Sequence, residues 1–244
     1  AELGVRTEPF FFRGAQDPAR VGEQLAVELE RARSVDARRD ADEALRQVEV
    51  DGVQIVQMLF SITTGLLSRG TPRFQRLLNA VTQTYQEAAL AQQPSLGQAP
   101  ERQLMWVTLS EVLRAKRAHA DSVLGDRLEP LFERYWVNDL YREPYTRADT
   151  LGAHTFQMIL RAAVLRFLVL GHPVIDALAS ASPALEWTEA HARAFEAAFV
   201  EAAQLYAKHI ERDAPMFEMI AGQYTPQSLG TDALGRARMF ATAA

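Results

Sequence analysis

Apolar residues recur every three or four positions through most of this chain, and the signals that open a β-sheet are nearly missing. The few β-branched clusters, such as residues 48–56, are short, and no Asn-Gly or Asp-Gly turn separates two alternating runs. A chain patterned this way buries its apolar side chains along helices. The expected fold is therefore all-α, an irregular multi-helix bundle, and 244 residues with 48% hydrophobic and 23% charged side chains suffice for a shared core.

After a loose start through Pro9, Phe10, Phe11 and Phe12, Asp17 and Pro18 supply an N-cap and a first-turn proline for a helix to about Arg33. A second helix is expected over about 36–47. Val53, Val56, Phe60 and Thr64 or Leu67 are spaced for a helix over 52–68, with Gly70 as its stop. Thr71 and Pro72 then open a helix to about Gln92. The Pro-, Gly- and Gln-rich stretch 92–100 reads as a linker. Further helices are expected at about 101–122, 126–142, 147–170, 173–180, 188–212 and 214–221. Thr146 with Asp149 resembles a capping box, and Gly171-His172-Pro173 ends one helix and starts the next. The organisation is thus an N-terminal helical half (1–92), a linker (93–100), a C-terminal helical half (101–222) and a surface tail (223–244), with no internal repeat.

A formal net charge of -5 removes the positive field that drives phosphate binding, so nucleic acid is not an expected partner. The absence of cysteine excludes disulfides, thiolate metal sites, iron–sulfur ligation and a cysteine nucleophile within this sequence. The apolar run 156–170 is shorter than the roughly 20 residues of a bilayer span and is interrupted by Arg161 and Arg166. A buried helix is expected there, no membrane association, and a soluble chain of cytoplasmic type. Ala1-Glu2-Leu3-Gly4 has no signal-peptide character, and the missing Met is what a segment of something longer would show.

No Gly-x-Gly-x-x-Gly follows a strand, there is no Walker A loop, and the five histidines form no His-Glu-x-x-His or paired Glu-x-x-His. No cofactor or metal is expected within the segment, and no catalytic residue emerges. Six residues are candidates for binding. His154, Gln157 and Arg161 fall at i, i+3 and i+7 on one helix, a stripe that suits an anion or carboxylate and equally suits a solvent-facing or internally hydrogen-bonded face. Tyr135 and Asn138 continue the Leu128 and Leu131 face of another helix, where they either bind or tie helices together. His209 ends the stripe Phe195, Phe199, Ala202, Tyr206, where an apolar setting would shift an imidazole and a helix C-terminus would reward a cation. Tyr135, Asn138 and His209 all stand beside apolar neighbours, so burial and cross-helix hydrogen bonds are expected for the three.

The run Tyr135, Trp136, Val137, Asn138, Asp139, Leu140, Tyr141, followed by Pro144, resembles a Tyr-x-x-Asn helix in the C-terminal region of the flagellin lysine-N-methylase family. The likeness continues through the apolar, Arg-bearing helix from Leu151 to Gly171, through residues 203–220 around His209, and more loosely through 55–76. It implies S-adenosylmethionine and an iron–sulfur cluster as cofactors, held in a cysteine-rich N-terminal part that this cysteine-free sequence does not contain. It further implies a protein substrate, flagellin in the family, or that cysteine-rich domain as partner. The alternative is a stand-alone helical domain that binds a small ligand or a protein. Neither reading specifies an oligomeric state.

Overall fold

The computed structural model describes residues 52–67, 70–97, 102–142, 151–181 and 186–209, with backbone alone for some, including 139–142, 151–157 and 159. Six helices make it up: α1 (Gly52–Leu67), α2 (Pro72–Gln92), α3 (Arg102–Arg142), α4 (Leu151–Leu170), α5 (Pro173–Ala181) and α6 (Glu189–His209). Among the described residues 94% are helical and none is in a strand, which bears out the all-α reading. The helices expected before residue 50 and over 214–221, and the Thr146 and Asp149 box, lie outside the described residues.

Local chemistry sets the helix ends. Thr71 caps α2: its Oγ1 accepts from Phe74 N at 3.5 Å, while Pro72 occupies the first turn. Thr188 caps α6 by accepting from His191 N at 3.3 Å, and His191 Nδ1 accepts from Thr188 N at 3.3 Å. That is a reciprocal box with imidazole in the place usually held by Glu or Gln. On the greasy α1, Ser61, Thr63 and Thr64 return their hydroxyls to carbonyls of the preceding turn, so Thr63 can be buried with its donor satisfied.

The expected break at 123–125 does not exist, because α3 runs unbroken for 41 residues, roughly 60 Å at 1.5 Å per residue. Gly125 costs about 1 kcal/mol in a helix interior. Against it, Ala120, Leu124, Leu128 and Phe132 form one buried line across that position, and each large side chain in it contributes about 1.5–3 kcal/mol. Continuity wins by that margin. Within the expected linker, Pro94–Gly97 is a 3-10 turn that buries Leu96. Buried residues on both sides of it belong to one hydrophobic cluster.

Helix α4 is the central element, with Leu160, Arg161, every residue from Ala163 to Leu170 and the following Gly171 buried. Tyr85 of α2 stacks on its Phe167, ring centroids 4.6 Å apart and 5° from parallel. Phe60 of α1 meets both rings edge-on at 6.2 and 5.4 Å, and Trp106 of α3 meets Phe60 at 5.9 Å. The Tyr85 hydroxyl donates to the Phe167 carbonyl at 3.1 Å, which also accepts from Gly171 N. Burial, with Asp176 acting in the same sense, pushes the phenol's pKa up, so it remains a donor.

The same helix carries two buried arginines, Arg161 and Arg166. Arg166 reaches α3, pairing with Asp121 at 3.1 Å and Glu129 at 2.6 Å, its guanidinium 4.6 Å above the Phe132 ring. No single helix among the described residues is long and apolar enough to cross a membrane. Only the pair Leu160–Leu170 and Pro173–Ala181 passes by length and composition, and it is bent by 67°.

That bend hinges on Gly171. A Cβ there would lie 2.6 Å from Tyr85 Cε2 and 2.6 Å from Val81 Cγ1, both on buried side chains. Gly171→Ala is therefore expected to destabilise by about 1–3 kcal/mol, the usual cost of overpacking, with partial recovery when Val81→Ala is added. Urea denaturation of the single and double variants measures both. Full stability in the single variant would mean that α2 and the α4–α5 turn are not in this contact.

Candidate ligand pocket between α3 and α5

Where α4 ends and α5 turns away, the Ala115 to Ala120 segment of α3 faces the Ile175 to Ser180 segment of α5 across a cavity of about 230 Å³. Its floor is apolar and buried: Ala120, Leu170, Ile175 and Ala179. Its rim is polar. Lys116 Nζ donates to Asp176 Oδ1 across the groove, their side chains 17% and 29% exposed. His119 Nε2 lies 2.9 Å from the Ala179 carbonyl oxygen. A carbonyl only accepts, so Nε2 carries a proton, and in the neutral ring Nδ1 is then the acceptor. Lys116 and His119 share a face of α3 at i and i+3, as Asp176 and Ser180 do on α5 at i and i+4.

None of these residues was among the sequence candidates. The periodicity that locates α3 and α5 carries no information about which faces meet, and Lys116 and Asp176 are 60 positions apart. A lysine and an aspartate on separate helices are in sequence terms two surface charges.

Of the six candidates, the structure describes the side chains of four, Tyr135, Asn138, Arg161 and His209, on three different helices. Asn138 is exposed, contrary to its expected burial. It follows Phe132 by six residues, about 240° around a helix of 3.6 residues per turn, and so leaves the buried line. Tyr135 is half-buried and meets Trp136 and Tyr206 edge-on at 5.0 and 6.3 Å. Arg161 is buried on α4; the side chains of His154 and Gln157 lie outside the described residues.

His209 does make its cross-helix bond. Its Nε2 lies 3.1 Å from Thr71 Oγ1 and its ring stacks on Phe74 at 4.6 Å, though it is half-buried rather than buried. Burial and then the Lys208 charge lower its pKa. The neutral ring is favoured there, the direction an apolar setting gives and opposite to the pull of a helix C-terminus.

A second histidine, His172, completes this end of the molecule. It is the N-cap of α5, since its carbonyl accepts from Asp176 N at 2.9 Å and its Nδ1 accepts from Val174 N at 3.2 Å. Its Nε2 lies 3.7 Å from Glu201, which Arg73 holds from the other side at 2.8 Å. Burial lowers the His172 pKa below its ordinary 6.5, with Glu201 opposing. The hydrogen bond from Arg73 lowers that of Glu201 below 4.5, with burial opposing. Among the described residues, no group of three or more His, Cys, Asp or Glu could hold a metal ion.

Folding makes the imidazole of His172 harder to protonate, so unfolding takes up a proton as pH falls below the unfolded value. The stability contributed is full above about pH 6.5 and is lost as pH drops through the lowered folded value, with a further loss below about pH 4.5 from Glu201. A protonated Nδ1 would also lose the Val174 N–H. His172→Asn, which keeps a cap acceptor, is expected to flatten the decline between neutral pH and pH 5. His172→Ala removes the cap and is expected to cost about 1 kcal/mol at neutral pH. Denaturation midpoints of the three proteins across that range decide the matter, and an equal slope in His172→Asn would reassign it to other groups.

Compared with family models, with curated proteins and with solved structures, the chain has no match in any of the three.

Proposed function

We propose that this chain is a helical ligand-binding domain whose binding position is the groove between α3 and α5. The observation that carries the reading is one site combining a buried apolar floor with convergent donors and acceptors, Lys116, Asp176 and His119, around 230 Å³ of space. Binding sites are built in this way, with apolar walls for affinity and a few polar groups for orientation. That space lies below the roughly 300–1,000 Å³ of pockets for drug-sized molecules, so the ligand is small.

Saturation-transfer NMR with a series sharing one branched carbon chain, namely leucine, isocaproate, isoamylamine and isoamyl alcohol, tests the reading. At least one compound is expected to bind, and Ala115→Trp, which fills the groove from an exposed lining position, is expected to abolish its signal. Silence from all four at millimolar concentration, or binding unaffected by Ala115→Trp, would overturn it.

The second reading, the helical part of a lysine-N-methylase-like protein acting on flagellin, draws its support from the run 135–141. Tyr135 and Asn138 stand there on one helix, and Val137 and Asn138 are exposed at its end, where a further protein segment would pack. On this reading the chain alone is inactive, because it offers no thiolate for a cluster. Purified chain incubated with flagellin and S-adenosylmethionine is expected to yield no methyl-lysine, and its appearance would place the activity in these residues.

A further inference from the structure

Resting on the ligand-binding reading of the groove, we infer that its ligand is a small zwitterion of the α-amino acid type with a branched or linear apolar side chain. The argument is one of charge pairing. Lys116 and Asp176 neutralise one another across the rim at low exposure, so whatever enters between them separates a charge pair that solvent reaches only in part. A ligand carrying only a carboxylate would take Lys116 and strand Asp176. A ligand carrying only an ammonium would take Asp176 and strand Lys116. Either exchanges one charge-assisted bond for another and leaves a poorly solvated charge unpaired, which is costly.

A zwitterion changes that count. Its carboxylate pairs with Lys116 while its ammonium pairs with Asp176, so one charge-assisted pair becomes two and no charge is stranded. The geometry supplies the remaining partners. An ammonium has three protons to place, and besides Asp176 the groove is lined by His119, whose neutral ring, with Nε2–H on Ala179 O, keeps Nδ1 as an acceptor. The two charges of an α-amino acid are carried on adjacent carbons, matching a rim whose own opposite charges touch. The side chain then has the apolar floor of Ala120, Leu170, Ile175 and Ala179 to cover.

The same four compounds separate this inference from the reading beneath it, now by titration calorimetry on the intact chain. Leucine is expected to bind about tenfold to a hundredfold more tightly than isocaproate or isoamylamine, the worth of one charge-assisted bond. Lys116→Met is expected to cost leucine a similar factor while leaving isoamylamine as tight or tighter, and Asp176→Asn to do the converse with isocaproate. Circular dichroism establishes that each variant is folded. Isocaproate, isoamylamine or isoamyl alcohol binding as tightly as leucine, with Ala115→Trp still abolishing it, would overturn the zwitterion while the groove stands as a site. Loss of all binding in both charge variants equally, without the exchange of preference, would also overturn it.

Discussion

The approach of α2 to the end of α4 is the contact on which the rest of the arrangement depends. Tyr85 lies flat on Phe167 and hydrogen-bonds that residue's carbonyl, and this brings α2 so near the following turn that only a residue without a Cβ fits at position 171. Phe167 O thereby serves two donors, Gly171 N along the helix and the Tyr85 hydroxyl across it. A buried phenol with no acceptor would cost about 1–3 kcal/mol, so the bond fixes the height of α2 against α4 as well as the distance. The glycine then allows α4 to end, His172 to cap, and Pro173 to begin α5 at 67° to its predecessor. Were α4 to continue straight, α5 would not come back toward α3 and there would be no groove.

The other wall is positioned electrostatically. Arg166, one turn before the bend, is sandwiched by Asp121 and Glu129 over the Phe132 ring, and the Arg117 guanidinium stands beside the same Asp121. The partners are half-exposed while Arg166 is buried, so the attraction acts at low dielectric on one side and is screened by solvent on the other. Its value lies in register. Asp121 is two residues past His119, so fixing it against α4 fixes which face of α3 is turned toward α5. The pairing of Lys116 with Asp176 follows from that placement.

How much of this was legible beforehand differs by residue. Helix existence was readable because it is local: Thr71-Pro72, Gly171-His172-Pro173 and the Phe195, Phe199, Ala202, Tyr206 stripe all occupy their expected roles. The separation of 101–122 from 126–142 fails because a glycine at 125 looks the same in sequence whether or not a buried line passes through it. Asn138 leaves the expected face because the stripe Leu128, Leu131, Tyr135, Asn138 drifts around the helix, away from a buried line centred on Leu128 and Phe132. The site residues were out of reach for a different reason. Lys116, His119 and Asp176 have ordinary local surroundings, and only the tertiary contacts of α2, α4 and α5 make a groove of them.

Cavity energetics bear on why that groove persists. A sealed apolar void of this size would cost about 5–6 kcal/mol at roughly 24 cal/mol per Å³, comparable to the whole stability of many domains. Closing it by sliding α5 onto α3 is opposed by the rim, because the Lys116–Asp176 pair would lose its remaining contact with water, and desolvating two charges costs several kcal/mol per ion. Alanines at 115, 120 and 179 leave short side chains on both walls of the groove. The site thus remains open to solvent, with His119 and Ser180 exposed at its edge. A charged rim over an apolar floor resists both collapse and sealing, and an occupant that satisfies rim and floor together would remove the remaining cost.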